Sequence, residues 1–563
     1  MRCSALATDF DGTLTGSNGR VEDGTFDQLR RWREAGRKLL LVTGRLLEDA
    51  AWHLGDELSL FDALVAENGA LLYLPAERKE QLLADPPPEE FANALRARNV
   101  TPLEVGRAIV ATRTPHEVDV LEVIRDQHLE MQVVFNKGAV MVLPSGINKA
   151  TGLAAALLEL HLSPHNVVAV GDAENDHAFM RASEYAAAVA NALPEVKQDA
   201  DILLQCSNGA GVRELIDRVL RTDLSDVSPA RHRISIGESI DGVDVTLDPQ
   251  NAGTLIVAGD SGAGKTRVTI GILEQLATKD YQVCVVDPEG DYEAVEAATV
   301  AGDANSPPLP ERVISELEKS PAKSVVAILL GVPLQDRPRY VAALTPGLQS
   351  LRAKTGHPHW LAFDEAHHIF RKDADTLNLF ANQQPGLLCV TTDPNLLSDE
   401  ILTNVTSAVV VGKNPRAILS ALPKATPPND LPEDLGTEQV IYWNVRDGVK
   451  LLKPVMPSQT FQRHRRKYAK GELAPEKSFY FRGKDSKLNL RASNLILFSE
   501  IARGVDDETW LYHLRQGDYR RWFSEMIGDQ ELAGEAQAVE DADAESSRAH
   551  ILDEIDRRYT APA

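Results

Sequence analysis

The sequence predicts a multidomain α/β protein in which two domains with mainly parallel sheets precede a small helical domain. Its 563 residues are too many for a single hydrophobic core. Apolar runs alternate with helical stretches in two separate series, as in TLIVAG, QVCVVD and WLAFDE of the second series. Because such βα alternation implies parallel strands covered by helices, each series is expected to form its own sheet.

Changes in composition divide the chain into zones. Residues 1–222 hold the first series, and residues 223–233 carry turn formers and a proline, which is typical of a linker. Residues 234–456 hold the second series, which closes with a predicted β-hairpin around Arg446. We expect residues 457–563 to form a helical domain with an acidic, solvated tail.

The overall charge is strongly negative. With 59 Lys and Arg against 83 Asp and Glu, the net charge of −24 repels nucleic acid and anionic membrane over most of the surface. The basic cluster RHRRK at 463–467 is the best local candidate for contact with nucleic acid. No window approaches the roughly 18 uncharged apolar residues of a membrane helix, and the four cysteines show no metal or disulfide spacing. A cytoplasmic protein without a membrane partner is predicted.

A pair of aspartates marks the end of the first apolar run. In ALATDFDGTLT, Asp9 and Asp11 come where the strand is expected to stop at Gly12, and open α/β sheets bind ligands at that edge. One carboxylate can attack phosphorus while the next but one protonates the leaving oxygen. A divalent cation is then required, because an anionic nucleophile must approach an anionic ester.

Three later segments supply the remaining groups of such a site. KLLLVTGR ends an apolar run with Thr43, whose hydroxyl can hold a phosphoryl oxygen, and INKATGL places Lys149 at a helix start as a cation for the same phosphate. NVVAVGDAENDHAFM ends a third run with Asp172, followed by Asn175 and Asp176, whose oxygens suit a metal ion.

Together these four segments resemble the motif set of the haloacid dehalogenase superfamily, over about 220 residues. The resemblance implies a Rossmann-like core with a small α/β cap at about 80–145, and AENGA at 66–70 is similar to the subgroup whose cap lies between the second and third motifs. The second aspartate of the first motif favours a phosphatase over a dehalogenase. Similar short-capped members act on small phosphorylated metabolites such as phosphoglycolate or sugar phosphates.

The same resemblance implies a role for each matching residue. Asp9 would be the nucleophile and Asp11 the general acid and base, with Thr43 and Lys149 on the phosphate. The expected ligands of Mg²⁺ are Asp9, the carbonyl group of Asp11, Asp172 and Asp176.

TLIVAGDSGAGKTRVTIGILEQL contains a complete GxxxxGKT motif between an expected strand and an expected helix. In this context the backbone N–H groups of the turn surround phosphates, the lysine reaches the β and γ phosphates, and the threonine binds magnesium. The motif predicts an ATP site with the residues Gly259, Ser261, Gly262, Ala263, Gly264, Lys265 and Thr266.

HWLAFDEAHHIF supplies the acidic partner of that site. Asp364 would hold the magnesium ion through water, and Glu365 would orient the attacking water, which favours ATP hydrolysis over transfer to a substrate. With VVDPEGDY at 285–292, FDEAH resembles the HerA/FtsK/VirB4 branch of P-loop motors. Thr392 stands in the sensor position, where many members of that branch carry glutamine.

The resemblance to this branch implies a homo-oligomeric ring, expected to be hexameric, whose neighbouring subunit completes the site with an arginine. The candidate arginines are Arg337, Arg339, Arg352 and Arg416. Only the resemblance to this family implies DNA translocation. HerA proteins also carry an N-terminal β-barrel and a helical insertion, and the sequence shows neither.

Aromatic residues lie among arginines near the C-terminus: Trp510, Tyr512, Tyr519, Trp522 and Phe523. They could stack on nucleic-acid bases. However, Trp510 with Leu514 and Tyr519 with Phe523 follow helix spacing, which favours a place in the core.

Four hypotheses follow for the whole chain. The first is a Mg²⁺-dependent metabolite phosphatase fused to a regulatory or assembly-forming ATPase. The second is a HerA-like DNA motor whose phosphatase domain acts on nucleotides or nucleic-acid ends, in defence against foreign DNA. A bifunctional kinase–phosphatase is disfavoured by Glu365, and a scaffold that binds ATP in order to oligomerise is disfavoured by two complete sets of catalytic motifs.

Overall fold

The computed structural model describes residues 2–16, 19–293, 295, 298–303, 305–372, 386–457, 473, 478–484, 487–527 and 529–560. The basic cluster at 463–467 lies outside these ranges, so its contact with nucleic acid stays a prediction. Within the described ranges, no helix has both the length and the apolar character needed to cross a membrane.

Strands and helices alternate through the first part of the chain. The strands are β1 (Ala5–Thr8), β2 (Lys38–Val42), β3 (Ala63–Ala66), β4 (Leu71–Leu74), β5 (Lys79–Leu82), β6 (Glu104–Val105), β7 (Val110–Arg113), β8 (Met131–Asn136), β9 (Ala139–Pro144), β10 (Val167–Gly171), β11 (Tyr185–Ala188) and β12 (Ile202–Leu203). The helices are α1 (Thr25–Glu34), α2 (Leu47–Leu54), α3 (Glu89–Ala97), α4 (Glu117–Asp126), α5 (Lys149–Glu159), α6 (His177–Ala182), α7 (Pro194–Asp199) and α8 (Asn208–Thr222).

Eight of these strands form one sheet in the order β12-β11-β10-β1-β2-β3-β4-β5. The pairs from β12 to β3 are parallel, and β4 and β5 add antiparallel strands at one side. Strands β1, β3, β10 and β11 are buried along their full length, as expected for parallel strands between layers of helix. The sheet is wound in both directions from β1, and ligands bind in such sheets at the carboxyl ends of the strands beside this point.

A smaller antiparallel sheet, in the order β6-β7-β9-β8, forms the cap together with α3 and α4. Its hydrophobic cluster, which includes Phe91, is separate from that of the large sheet. The buried carboxylate of Glu67, after β3, accepts hydrogen bonds from the backbone N–H groups of Arg107, Ala108 and Ile109. Glu67 therefore ties the cap to the core.

The second series of elements follows from Ile234. The strands are β13 (Ile234–Ser239), β14 (Asp244–Leu247), β15 (Thr254–Ala258), β16 (Val283–Asp287), β17 (Ala298–Ala301), β18 (Ser324–Ile328), β19 (Trp360–Phe363), β20 (Leu387–Thr391), β21 (Val405–Val410), β22 (Val440–Asn444) and β23 (Gly448–Pro454). The helices are α9 (Lys265–Thr278), α10 (Pro310–Lys319), α11 (Arg337–Thr355), α12 (Asp399–Thr403) and α13 (Pro415–Ser420).

These strands form a second sheet in the order β14-β13-β23-β22-β21-β15-β20-β19-β16-β18-β17. The seven strands from β21 to β17 are parallel, and the other four pair in antiparallel fashion. The hairpin predicted around Arg446 is confirmed as β22–β23. Ile256 belongs to one hydrophobic cluster and its neighbours Leu255 and Val257 to another, so both faces of the sheet are covered.

The C-terminal part is mostly helical. It contains β24 (Phe479–Phe481), β25 (Leu490–Ala492), α14 (Leu495–Gly504), α15 (Asp507–Arg515), α16 (Asp518–Arg521), α17 (Gln530–Ala538) and α18 (Ala544–Ile555), with π-helical turns at Trp522–Ile527 and Asp556–Thr560. The α/β multidomain fold class predicted from the sequence is confirmed. The domain boundaries stay predictions.

The aromatic residues of this part lie in its core, as helix spacing predicts. Trp510, Tyr519, Trp522 and Phe523 are buried, whereas Tyr512 is partly exposed. The prediction of a solvated tail is wrong. Helices α17 and α18 pack on the core that contains the aromatic residues, through Leu532, Ile551 and Ile555. The acidic composition of this segment belongs to the outer faces of two amphipathic helices.

Buried polar contacts join the first sheet to the second. Asn166, just before β10, donates through Nδ2 to the carbonyl oxygen of Gly356 at 3.4 Å, and its Oδ1 lies 3.2 Å from Nε2 of His359, just before β19. Nδ1 of His359 accepts the N–H of Gln282, so the proton of its neutral ring is on Nε2. His357 contacts the Gln282 side chain and the carbonyl oxygen of His161.

These contacts join the amino edges of the two sheets. Asn166 precedes β10, and Gln282 and His359 precede β16 and β19 in the second sheet. The carboxyl edges therefore lie at the two ends that face away from the contact. Since a parallel strand of five residues spans roughly 15 Å, each carboxyl edge lies about one strand length from the contact.

We expect this histidine contact to make stability depend on pH. Burial lowers the pKa of His357 to about 4, from an ordinary value of 6.5. Between pH 6.5 and about pH 4, His357 binds a proton in the unfolded chain but not in the folded chain. The free energy of unfolding therefore decreases as the pH falls through this range. The slope is at most about 1.4 kcal/mol per pH unit for one histidine.

Urea unfolding of the full chain between pH 7 and 5 measures this slope. His357→Gln should flatten the decline in the free energy of unfolding. His128→Gln, at an exposed position of the cap, should leave it unchanged. A slope that is the same in His357→Gln and in the unchanged protein would contradict the assignment.

Candidate functional site

The groups predicted for the first site meet at the carboxyl edge of the large sheet. Asp9 follows β1, Thr43 follows β2 and Asp172 follows β10, and these three strands are neighbours. Lys149 is the first residue of α5, whose start is fixed by a capping box with Asn148 as the N-cap. Segments far apart in sequence thereby converge on one point.

A buried lysine bridges two of the carboxylates. Nζ of Lys149, which is 1% exposed, donates to Oδ1 of Asp9 and to Oδ1 of Asp176, each at 2.6 Å. The second oxygen of Asp176 accepts the N–H groups of Asp172 and Ala173, each at 2.9 Å. Both oxygens of Asp176 thus accept hydrogen bonds from the protein. This arrangement suits a residue that positions Lys149 and the backbone at Asp172. Its direct contact with a metal ion stays a prediction.

Negative charge is concentrated at this edge. Asp9, Asp172 and Asp176 bring carboxylate oxygens within 4.8 Å of one another. Burial and the charge of Asp176 raise the pKa of Asp9 to about 7, against the opposing effect of Lys149, and burial also raises the pKa of Asp172. Oδ1 of Asp172 is buried and has no hydrogen-bond partner among the described residues. These oxygens fit a magnesium ion, which prefers carboxylate ligands.

Asp11 is held by an arginine that the sequence analysis missed. Arg45 donates from Nε to Oδ2 of Asp11 at 2.7 Å and from Nη2 to Oδ1 at 2.6 Å, in a bidentate pair. It also donates to Asp49 at 2.8 Å, and its backbone N–H donates to the hydroxyl of Thr43 at 3.2 Å. The segment TGR therefore supplies both a hydroxyl and the group that orients Asp11.

A cavity of about 340 Å³ lies between the core and the cap. Asp9, Asp11 and Lys149 line it on the core side, and Arg113 and Asn136 line it on the cap side. Its volume suits a small ligand. The cap residues in its wall were not identified from the sequence, because nothing in a cap strand marks which side chains face the core.

The second site begins where β15 ends. Gly264 has a left-handed backbone conformation, with φ of 97°, directly before α9, and such a turn favours glycine. Lys265 is the first residue of α9, and its Nζ donates to the carbonyl oxygens of Gly259 and Asp260 at 2.9 and 3.1 Å. The turn surrounds the helix N-terminus, where phosphate groups bind.

Carboxylates also crowd the second site. Asp364 follows β19, and its pKa is raised well above the ordinary value by burial and by Glu365, Asp287 and Asp291. Asp287, the last residue of β16, is itself buried, and its pKa is raised to about 6 by burial and by Asp291. Such a group of carboxylates fits a divalent cation, as in the first site.

The sensor position shows a contact that the sequence analysis did not identify. The hydroxyl of Thr391, at the end of β20, lies 3.2 Å from Nδ1 of His367, and Nε2 of His367 lies 3.4 Å from a carboxylate oxygen of Glu365. Thr391, and not Thr392, thus contacts the segment that carries Asp364 and Glu365, through His367. The sensor role of Thr392 stays a prediction.

One candidate arginine is excluded. Arg352 donates to the carbonyl oxygens of Pro358 and His359 at 2.7 and 2.8 Å, so its guanidinium is held within its own chain and cannot reach a neighbouring site. The corresponding expectation for Arg352 is wrong. Those for Arg337, Arg339 and Arg416 stay predictions.

Two family models match the chain and confirm both resemblances. Residues 6–97 and 104–216 match the model of haloacid dehalogenase-like hydrolases. Residues 234–327 match the model of the central domain of helicase HerA. The first match includes every residue predicted for the first site, and the second includes the GxxxxGKT segment.

Curated relatives match the chain over nearly their whole length. The phosphoglycolate phosphatase of Methanothermobacter thermautotrophicus is 30% identical over 224 residues, which are 38% of this chain and 98% of the relative. That of Metallosphaera sedula is 33% identical over 222 residues, again 38% of this chain and 98% of the relative.

Removal of the bridging lysine tests the charge balance of the first site. Lys149→Met leaves Asp9 and Asp176 buried without their counter-charge, so the free energy of unfolding should fall by about 3–5 kcal/mol. Adding Asp9→Asn and Asp176→Asn to this variant should recover part of the loss. Urea denaturation measures all three forms, and a loss below about 1 kcal/mol in Lys149→Met would contradict the ion-pair assignment.

Proposed function

Because the chain belongs, through its N-terminal region, to the haloacid dehalogenase-like hydrolases, we propose that this region is a magnesium-dependent phosphatase of small phosphorylated metabolites. The observation that carries the proposal is the buried Lys149, which bridges Asp9 and Asp176 beside a cap-covered cavity. The relatives named phosphoglycolate phosphatase support it, and phosphoglycolate or a sugar phosphate is the proposed substrate class.

In the proposed reaction Asp9 is the nucleophile. Lys149 holds Oδ1 of Asp9, so Oδ2 is the oxygen that forms a bond to phosphorus while the bond to the leaving oxygen breaks. Asp9, the carbonyl group of Asp11 and Asp172 would hold the magnesium ion, which supplies the positive charge that lets two anions approach. Water then releases phosphate from the aspartyl phosphate and regenerates Asp9.

Asp11 is proposed to move the protons. It gives a proton to the leaving oxygen in the first step and takes one from the attacking water in the second. Arg45 donates to both oxygens of this carboxylate at the cavity wall, so one of the two hydrogen bonds has to open when Asp11 carries the proton. Thr43 is proposed to hold a phosphoryl oxygen together with Lys149.

For the HerA-like region we propose binding and hydrolysis of ATP. The turn before α9, with Lys265 at the helix start and Thr266 next to it, would hold the phosphates and the magnesium ion. Asp364 would bind that ion through water, and Glu365 would orient the attacking water. We also propose a homo-oligomer in which an arginine of a neighbouring subunit completes the ATP site. This proposal and that of contact with nucleic acid rest on the family resemblance.

The two proposed activities should be separable by single substitutions. Asp9→Asn removes the nucleophile and should lower phosphate release from phosphoglycolate at least about a thousandfold, with ATP hydrolysis unchanged. Lys265→Ala should abolish ATP hydrolysis and leave phosphate release from phosphoglycolate unchanged. Both are measured as inorganic phosphate released, with circular dichroism as the check on folding.

The two variants serve as controls for each other. Phosphatase turnover that survives Asp9→Asn would contradict the nucleophile assignment. ATP hydrolysis that survives Lys265→Ala would contradict the nucleotide site.

A further inference from the structure

The cap places a lysine on the carboxylate that is proposed to bind magnesium. Nζ of Lys137 donates to Oδ2 of Asp172 at 2.7 Å and lies 3.5 Å from the carbonyl oxygen of Asp11. We propose that Lys137 competes with the divalent cation for Asp172, so that metal binding releases the cap hairpin β8–β9. This inference rests on the proposed role of Asp172 as a magnesium ligand.

Charge balance explains why an ammonium group binds there. Asp9, Asp172 and Asp176 meet at this point, and Lys149 contributes one positive charge on the side of Asp9 and Asp176. Lys137 contributes a second on the side of Asp172. A divalent cation bound to Asp172 would also compensate the negative charge of this buried carboxylate.

The surrounding backbone is shaped for this contact. Lys137 and Gly138 link β8 to β9 with φ of 46° and 83°, the pair of left-handed residues that suits a tight two-residue hairpin. On the core side, a Cβ at Gly12 would lie 2.3 Å from Oδ2 of Asp172 and 3.1 Å from Nζ of Lys137. The first motif and the tip of the cap hairpin therefore approach each other where only glycine fits.

Nζ of Lys137 lies between Oδ2 of Asp172 and the carbonyl oxygen of Asp11, two of the proposed magnesium ligands, so a cation bound by both would take its place. Like charges so close together repel, and magnesium requires a near-octahedral set of oxygen ligands around it. The side chain of Lys137 is 47% exposed, whereas that of Asp172 is 4% exposed. Lys137 can therefore leave for solvent, while Asp172 stays in place and needs a cation.

Calorimetric titration of the full chain with MgCl₂, without nucleotide or phosphorylated compound, tests the competition. The heat that is lost in Asp172→Asn identifies binding at this site. Lys137→Met should bind Mg²⁺ about two- to fivefold more tightly than the unchanged protein, as expected for the loss of one partly exposed ion pair. Arg125→Met removes a positive charge elsewhere on the cap and should bind like the unchanged protein.

The outcomes separate this inference from the proposed function. Equal affinity in Lys137→Met and in the unchanged protein would overturn the competition and leave the magnesium site intact. If no heat depends on Asp172, the magnesium site itself is contradicted and the inference falls with it.

Hydrogen exchange gives a second readout that is independent of affinity. Addition of MgCl₂ should speed backbone amide exchange in the β8–β9 hairpin of the unchanged protein. In Lys137→Met the hairpin should exchange at the faster rate with and without MgCl₂. Exchange that stays the same or slows in the unchanged protein would overturn the release of the cap.

Discussion

Buried negative charge at the carboxyl edges of two parallel sheets is the constraint on which the rest of this molecule depends. Oxygens of Asp9, Asp172 and Asp176 meet at the first edge, and Asp364 lies among further carboxylates at the second. Carboxylates out of water are costly unless cations compensate them. The fold supplies one such cation, Lys149, at full burial in the first site. The remaining negative charge belongs to the other carboxylates at the two edges. Glycine turns, helix N-termini and the cap hairpin lie around these carboxylates. Both edges thus fit the metal ion and the phosphate compound that are proposed for them.

The contact between the two sheets directs these edges away from each other. Asn166, Gln282 and His359 meet at the amino edges, in a neutral and fully hydrogen-bonded arrangement. A phosphoryl group therefore has no direct route from one carboxyl edge to the other. This geometry disfavours the kinase–phosphatase hypothesis in its simplest form, in which both sites share one phosphorylated compound. Any coupling between the proposed activities would pass through the strands and through such contacts, which also include the hydrogen bond from the Tyr281 hydroxyl to Glu184 at 3.1 Å.

The sequence was most informative where a strand end fixes the position of a functional side chain. Asp9, Thr43 and Asp172 each follow a buried strand, so the alternation of apolar runs was enough to bring them to one edge. Arg45 and Lys137 were missed for different reasons: Arg45 lies in a recognised segment, but its partner Asp11 becomes apparent only in three dimensions, and Lys137 acts from a separate cap sheet. The prediction for the acidic C-terminal segment was wrong because its overall composition does not show which positions are apolar. Those positions form the face through which α17 and α18 pack.

Asp9 is proposed to carry the phosphoryl group as an aspartyl phosphate, and chemical trapping can detect this intermediate. The full chain is mixed with phosphoglycolate and Mg²⁺, quenched during turnover and reduced with borohydride, which converts an aspartyl phosphate into homoserine. Mass spectrometry of the N-terminal peptide should then show homoserine at position 9, and none when phosphoglycolate is omitted. Turnover of phosphoglycolate without homoserine at position 9, or with homoserine at another aspartate, would contradict the role of Asp9 as the nucleophile.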